Sequence, residues 1–193
     1  LAAIAGLGIT DATIEIDAPE IPHADGSARP FVRLLRDAGV HDLGAPCDEL
    51  VLREPVVVER GDARIEASPR VASGCSMAYE LAYPAGSPIA PARTTWEAGL
   101  ASSSESFERD ISPARTFCLE EEARAMRSLG LLSHLGPEDA LVYGAGGPIG
   151  NAERVPHEPA RHKLLDLIGD LALLGRPLRA DVRAVRSGHA LTH

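Results

Sequence analysis

Arg161-His162-Lys163-Leu164-Leu165-Asp166-Leu167-Ile168-Gly169-Asp170-Leu171 lies in the strongest helical pattern of the chain, which runs from about Glu158 to Leu174 and meets its stop at Gly175 and Pro177. Leu164, Leu165, Leu167, Ile168, Leu171, Leu173 and Leu174 make this helix apolar nearly all round, so it is expected to be buried. His162 and Asp166 stand four residues apart, about 40° apart around the axis, where both side chains can reach one cation. Asp170, one turn further on, stays near the same stripe. A buried carboxylate or imidazole needs a partner, because an unpaired charge in low dielectric costs several kcal/mol or loses its charge. Ordinary helix salt bridges meet that need equally, with Asp166 and Asp170 paired to Arg161, Lys163 or Arg176. A catalytic zinc usually takes three protein ligands, and no spacing of the other His or Cys residues nominates a third.

Downstream, Ala180–Val185 reads as a strand, and Ser187-Gly188-His189-Ala190-Leu191-Thr192 follows it directly. Gly188 permits a tight exit, and His189 falls at a strand-to-helix corner, where a histidine serves either structure or chemistry. Upstream, Thr116 in Pro113-Ala-Arg-Thr-Phe117 fits a strand threonine or a hydroxyl donor to an oxyanion. Glu120–Leu129 is helical, with Ala123, Met126 and Leu129 inward. Ala140–Tyr143 is a short buried strand, and turn residues dominate Gly144–Pro159.

The first third has a helix tail at Leu1–Leu7 stopped by Gly8, an alternating strand at Ala12–Ile16 and a turn at Asp25-Gly26. Ser27 can cap a helix with Pro30 in its first turn and Phe31, Leu34, Leu35 and Ala38 on one face, ending at Gly39. Pro55–Glu59 is another strand. A boundary is expected near Arg60-Gly61-Asp62, dividing 1–60 from 61–193, because Ala63–Ala67, Met77–Tyr83 and Thr94–Ala98 begin a fresh run of strands. Strands and helices mix without regular βαβ alternation, which favours an α+β fold.

With 193 residues and 45% apolar content, the chain can fill a core made mostly of Ala, Leu, Val and Ile. A net charge of −9 argues against broad binding to nucleic acid or anionic lipid. Cys47, Cys75 and Cys118 are odd in number and lack metal-like spacing, so they read as reduced thiols of a cytoplasmic protein. Leu1–Leu7 lacks the basic flank of an export signal. No transmembrane stretch is expected, since nothing approaches the ~18 apolar residues a span requires.

In combination and in this order, five segments closely resemble the UDP-3-O-acyl-N-acetylglucosamine deacetylase family: Leu1–Ile9, Ile21–Val32, Phe107–Phe117, Arg161–Leu171 and Ser187–Leu191. The resemblance covers essentially the whole chain. It implies a zinc hydrolase of lipid A biosynthesis, with iron(II) as the alternative ion, built of two β-α-α-β units whose helices lie between two sheets. The first unit would be truncated to residues 1–60, and 61–193 would carry most of the site. His162 and Asp166 would bind the metal. Thr116 would donate to the oxyanion, and His189 would stabilise it and protonate the departing amine nitrogen. Asp170 would orient His189, Lys163 would meet substrate oxygen or diphosphate at the rim, and Phe117 would line the sugar or acyl pocket. The substrate implied is UDP-3-O-acyl-N-acetylglucosamine, acted on by a monomer. The family's third ligand, a His preceded by the general-base Glu, would fall just upstream of Leu1, so the chain is expected to be a fragment at both ends. Cys118-Leu-Glu-Glu-Glu122 is more acidic than the family's usual run, and Gly130–Gly150 matches only loosely. Asp25-Gly-Ser-Ala28 reads as a turn and cap more than as a site. The rival readings are a non-catalytic relative serving as an interaction module, and an amidohydrolase acting on another N-acetyl sugar.

Overall fold

The computed structural model describes residues 1–130, 136 and 139–193; part of the Gly130–Gly150 segment therefore lies outside the described residues. Helices α1 (Ala2–Gly6) and α2 (Arg29–Ala38) precede five strands, β1 (Leu50–Val51), β2 (Val56–Arg60), β3 (Ala63–Pro69), β4 (Cys75–Leu81) and β5 (Ala92–Glu97). A short helix α3 (Ser103–Ser106) runs into a π-helical turn, Phe107–Ile111, and then come β6 (Phe117–Leu119), α4 (Glu120–Ser128), β7 (Leu141–Gly144) and β8 (Gly147–Pro148). The chain closes with α5 (Glu158–Leu171), a 3₁₀ turn (Ala172–Leu174), β9 (Leu178–Val185) and α6 (His189–Thr192). The fold is α+β, as the mixed element order predicts.

β9 organises the larger sheet. It pairs parallel with β4 on one side; on the other it pairs antiparallel with β3 and, beyond the end of β3, parallel with β1. The full order is β2-β3-β9-β4-β5 with β1 beside β9. Ala180, Val182 and Ala184 are buried while Asp181 and Arg183 face solvent, the period-two pattern of a strand covered on one face. The cover is α5, whose Leu164, Leu165, Leu167 and Ile168 pack on β4 and β5 in a core with Met77, Tyr79 and Trp96. The opposite face of α5 is the polar stripe of His162, Asp166 and Asp170, so its burial is uneven around the axis. α1 crosses α5 at Gly169, where a Cβ would rest in ordinary contact with Ala2, 3.4 Å from its backbone nitrogen. The 3₁₀ turn swings away from the core and leaves Leu173 and Leu174 exposed, contrary to the apolar pattern.

Arg60-Gly61-Asp62 forms the turn of the β2–β3 hairpin, so strands on both sides of that point share one sheet. Ala12–Ile16 is irregular, with Ile14 and Ile16 exposed; its alternation is genuine, but a strand exists only in a ladder and this segment pairs with no described strand. In α2 the buried side chain is Val32, flanked by the half-buried Phe31 and Leu35, while Leu34 points to solvent. The smaller sheet, β6-β7-β8, is not hydrogen-bonded to the larger one but shares its core through Leu141 and Tyr143, and α4 connects its parallel strands β6 and β7. Of the inward residues expected in α4 only Ala123 is buried; Met126, 38% exposed, lines a cleft beside α5, and Leu129 faces solvent, because a three-stranded sheet offers too little surface to cover it.

Candidate functional site

The N-terminal half of α5, the Thr116-Phe117 segment and the β9–α6 corner enclose a cleft of about 570 Å³ lined by Thr116, Phe117, His162, Lys163, Asp166 and His189. Six of the seven residues singled out from the sequence therefore meet in one place, and the seventh, Asp170, stands directly behind His189. A cavity of about 690 Å³ lies at the other end of α5, walled largely by apolar groups such as Ile4, Met77, Trp96 and Ile168. It is the larger of the two, but chemistry favours the smaller cleft, where titratable groups converge.

One helical turn places His162 Nε2 and Asp166 Oδ1 3.5 Å apart. His162 is largely buried, and burial is the main reason that its pKa lies below the ordinary imidazole value, with Asp166 opposing that shift. The neutral ring donates its Nδ1–H to the Ala114 carbonyl at 3.0 Å, which leaves the Nε2 lone pair facing Asp166 and the cleft. Lys163 turns inward, its ammonium 2.6 Å from Asp166 Oδ2, in the i,i+3 pairing that charge spacing allows. Asp170 takes no arginine partner from its own helix; both of its oxygens lie 2.9 Å from His189 Nδ1.

The segment that presents Thr116 is held from every side. Its N–H donates to the Gly26 carbonyl at 2.8 Å, and its carbonyl accepts from the Leu141 N–H at 2.9 Å. Gly26, at φ +71°, is required there: a Cβ would come within 2.1 Å of the Asp139 carbonyl oxygen. The Asp25-Gly-Ser-Ala28 turn is thus the floor of the Thr116 ledge as well as the approach to α2, with Ser27 Oγ donating to Asp25 at 2.6 Å and accepting from Arg29 N–H at 3.3 Å. Asp25 also pairs with Arg154 at 2.6 Å. Beneath the ledge, Arg115 and Glu158 form an ion pair with side chains only 3% and 0% exposed. Glu158 Oε1 accepts from both the backbone N–H and Nε of Arg115, at 2.8 and 2.9 Å, and Arg115 Nη2 donates to Glu158 Oε2 and to the Ala152 carbonyl. No sequence signal exposed this pair, because its members lie 43 residues apart and each resembles a surface charge.

At the other wall, Tyr79 of β4 donates its hydroxyl to the Ser187 carbonyl, and burial pushes its pKa up to about 12. Arg186 adopts φ +51° and donates its N–H to the Glu80 carbonyl, so the chain leaves β9 sharply and aims His189 back across α5. His189 remains 59% exposed, with Nε2 3.9 Å from Asp166 Oδ2. Phe117 meets His162 edge-on at 6.1 Å between ring centroids and Tyr83 at 6.5 Å, an aromatic flank beside the polar cleft.

A sequence model of the family described as "LpxC: UDP-3-O-acyl N-acetylglycosamine deacetylase" matches residues 1–193. The chain belongs to this family. It is 40% identical over 193 residues to the UDP-3-O-acyl-N-acetylglucosamine deacetylase of Anaeromyxobacter sp. (strain Fw109-5), covering 99% of this chain and 61% of that protein. The deacetylase of Thermosynechococcus vestitus is 38% identical, with 99% of this chain and 64% of the relative covered. The match to the "Bifunctional enzyme LpxC/FabZ" of Chlorobaculum tepidum is 34%, covering 98% of this chain and 45% of that protein. The chain thus spans about three-fifths of the length of the first two.

Two donor sets in this member of the LpxC family suit a cation. His162 and Asp166 offer an imidazole nitrogen whose partner nitrogen is tied to a carbonyl, and a carboxylate oxygen facing it, which is the donor chemistry of a zinc or iron(II) site. Asp170, His189 and His193 are the one group of three among the described residues whose ligand atoms lie within 4.8 Å of one another. Both of its imidazoles are more than half exposed, and the His189 nitrogen nearest the carboxylate is already committed to Asp170. The first set is the better candidate, because the protein orients its histidine. No described helix is long and apolar enough to cross a membrane, and Cys47, Cys75 and Cys118 are free thiols.

Proposed function

We propose that this chain forms the larger part of a zinc-dependent hydrolase, with iron(II) as the alternative ion, that removes the N-acetyl group from UDP-3-O-acyl-N-acetylglucosamine during lipid A biosynthesis. The observation that carries this reading is the convergence of His162, Asp166, Lys163, Thr116 and a carboxylate-gripped His189 on one cleft in a chain of this family. His162 Nε2 and an Asp166 oxygen would hold the metal. When bound, zinc supplies Lewis-acid polarisation of the amide carbonyl and an acidified water.

The remaining duties fall to side chains already in place. Asp170 fixes Nδ1 of His189, so the ring presents Nε2 to the cleft and, when protonated, can stabilise the oxyanion and pass a proton to the departing glucosamine nitrogen. The Thr116 hydroxyl, on a ledge anchored through both its backbone groups, donates to the same oxyanion. Lys163 steadies Asp166 and lies on the cleft wall within reach of substrate oxygen or diphosphate. Phe117 supplies an apolar wall for sugar or acyl chain. Acetate and a free amine would be the products, and the enzyme would act as a cytoplasmic monomer.

Acetate release from the UDP-acylated sugar, measured with the protein at its relatives' full length, tests the reading. Release abolished by chelation and restored by Zn²⁺ is expected. Absence of release, alongside hydrolysis of some other N-acetyl sugar, would refute the lipid A assignment while leaving the metal chemistry intact.

A further inference from the structure

We infer that Arg115 and Glu158 are positioning residues for His162: the buried pair holds the Ala114 carbonyl where it selects the ring tautomer that can bind a cation. His162 has two competing acceptors. Its Nδ1 faces the Ala114 carbonyl at 3.0 Å, and its Nε2 faces Asp166 Oδ1 at 3.5 Å. A neutral imidazole carries one proton, so it donates to one of them and offers a lone pair to the other. Only the Nδ1–H form leaves Nε2 free as a ligand.

The carbonyl that decides this contest belongs to the residue just before Arg115. Glu158 Oε1 accepts from the Arg115 backbone N–H at 2.8 Å, and that N–H is part of the same peptide unit as the Ala114 carbonyl. The peptide plane is therefore clamped on its N–H side by Glu158, and rigid planarity points its oxygen at the His162 ring. Arg115 completes the clamp, since its guanidinium grips Glu158 at 2.9 and 3.2 Å and the Ala152 carbonyl at 2.6 Å. Glu158 opens α5 and His162 lies one turn further along, so clamp and ring ride on the same helix. Without the clamp, the charged Asp166 is the stronger acceptor and draws the proton to Nε2.

The inference deepens the metal-site reading proposed above but is tested apart from it, by long-range ¹H–¹⁵N correlation spectra of His162 in the 193-residue chain at pH 8, without metal or substrate. The unsubstituted chain is expected to show the Nδ1–H tautomer. In Glu158→Met, and in the charge-neutral pair Arg115→Met/Glu158→Met, neither of which offers an oxygen to the Arg115 N–H, the ratio should move about tenfold or more towards Nε2–H, the equivalent of one lost hydrogen bond. Restoring the acid in the Arg115→Met background should recover part of the shift, because Glu158 alone still accepts from the backbone N–H. A folded double variant that keeps the unsubstituted ratio would overturn the proposal. Global unfolding of all three variants would also overturn it, by making the pair a requirement of the fold and not of the ring. Loss of acetate release with an unchanged tautomer would likewise count against it, and a tautomer shift in a protein that never releases acetate would leave it standing while the deacetylase reading fails.

Discussion

Replacing Glu158 by Ala should destabilise this protein more than any single surface change. The substitution leaves the Arg115 guanidinium 3% exposed with only the Ala152 carbonyl as partner, and it orphans the Arg115 N–H that Glu158 had accepted. Breaking a buried pair by removing one member costs about 3–5 kcal/mol, most of it the uncompensated charge. For a chain of this size each kcal/mol lowers Tm by about 2–4 °C, so a fall of roughly 6–20 °C is expected. Removing both charges in Arg115→Met/Glu158→Ala should cost less than the single change, because no buried charge remains and the methionine occupies much of the arginine's volume. Thermal and urea unfolding of Glu158→Ala, Arg115→Met and the double variant, followed by circular dichroism, would give the three changes in free energy and hence the coupling between the residues. A loss below about 1 kcal/mol for Glu158→Ala, or a double variant less stable than either single one, would refute the account of the pair as a mutually dependent buried unit.

At the relatives' full length, His189→Ala should keep its metal and lose about 10²–10⁴-fold in turnover, as expected for a lost general acid; metal loss on that change would make His189 a ligand. His162→Ala should lose the bound metal while His193→Ala keeps it, as read by metal content after dialysis, and the reverse pattern would place the ion at the Asp170 group. Asp25 is pushed up by burial but pulled down more strongly by its bonds from Ser27 and Arg154, so its folded pKa lies below its ordinary value. A depressed carboxyl stabilises the fold above its unfolded pKa and loses that contribution as pH falls through the folded value. Asp25→Asn should therefore cost about 1 kcal/mol at pH 7. The gap from the unsubstituted protein should narrow below about pH 4, and a gap that widens on acidification would contradict this assignment.

Local periodicity is a property of neighbours along the chain, and on that scale the sequence was readable. The spacing of His162, Asp166 and Asp170 follows from helix geometry alone, and the alternation of Ala180, Val182 and Ala184 marks β9 before any partner is known. The resemblance carried by five segments then pointed to the family. What tertiary structure decided is everything that depends on a partner distant in sequence. Ala12–Ile16 has a strand's pattern but no described strand beside it; Leu173, Leu174 and Leu129 have core chemistry but no core to enter. The Arg115–Glu158 clamp had no local signature, since a charge looks solvated until its burial is known. The sequence by itself determined which groups could do the chemistry. Only the fold determined which nitrogen of His162 faces the cleft, because that follows from the direction of one carbonyl 48 residues away.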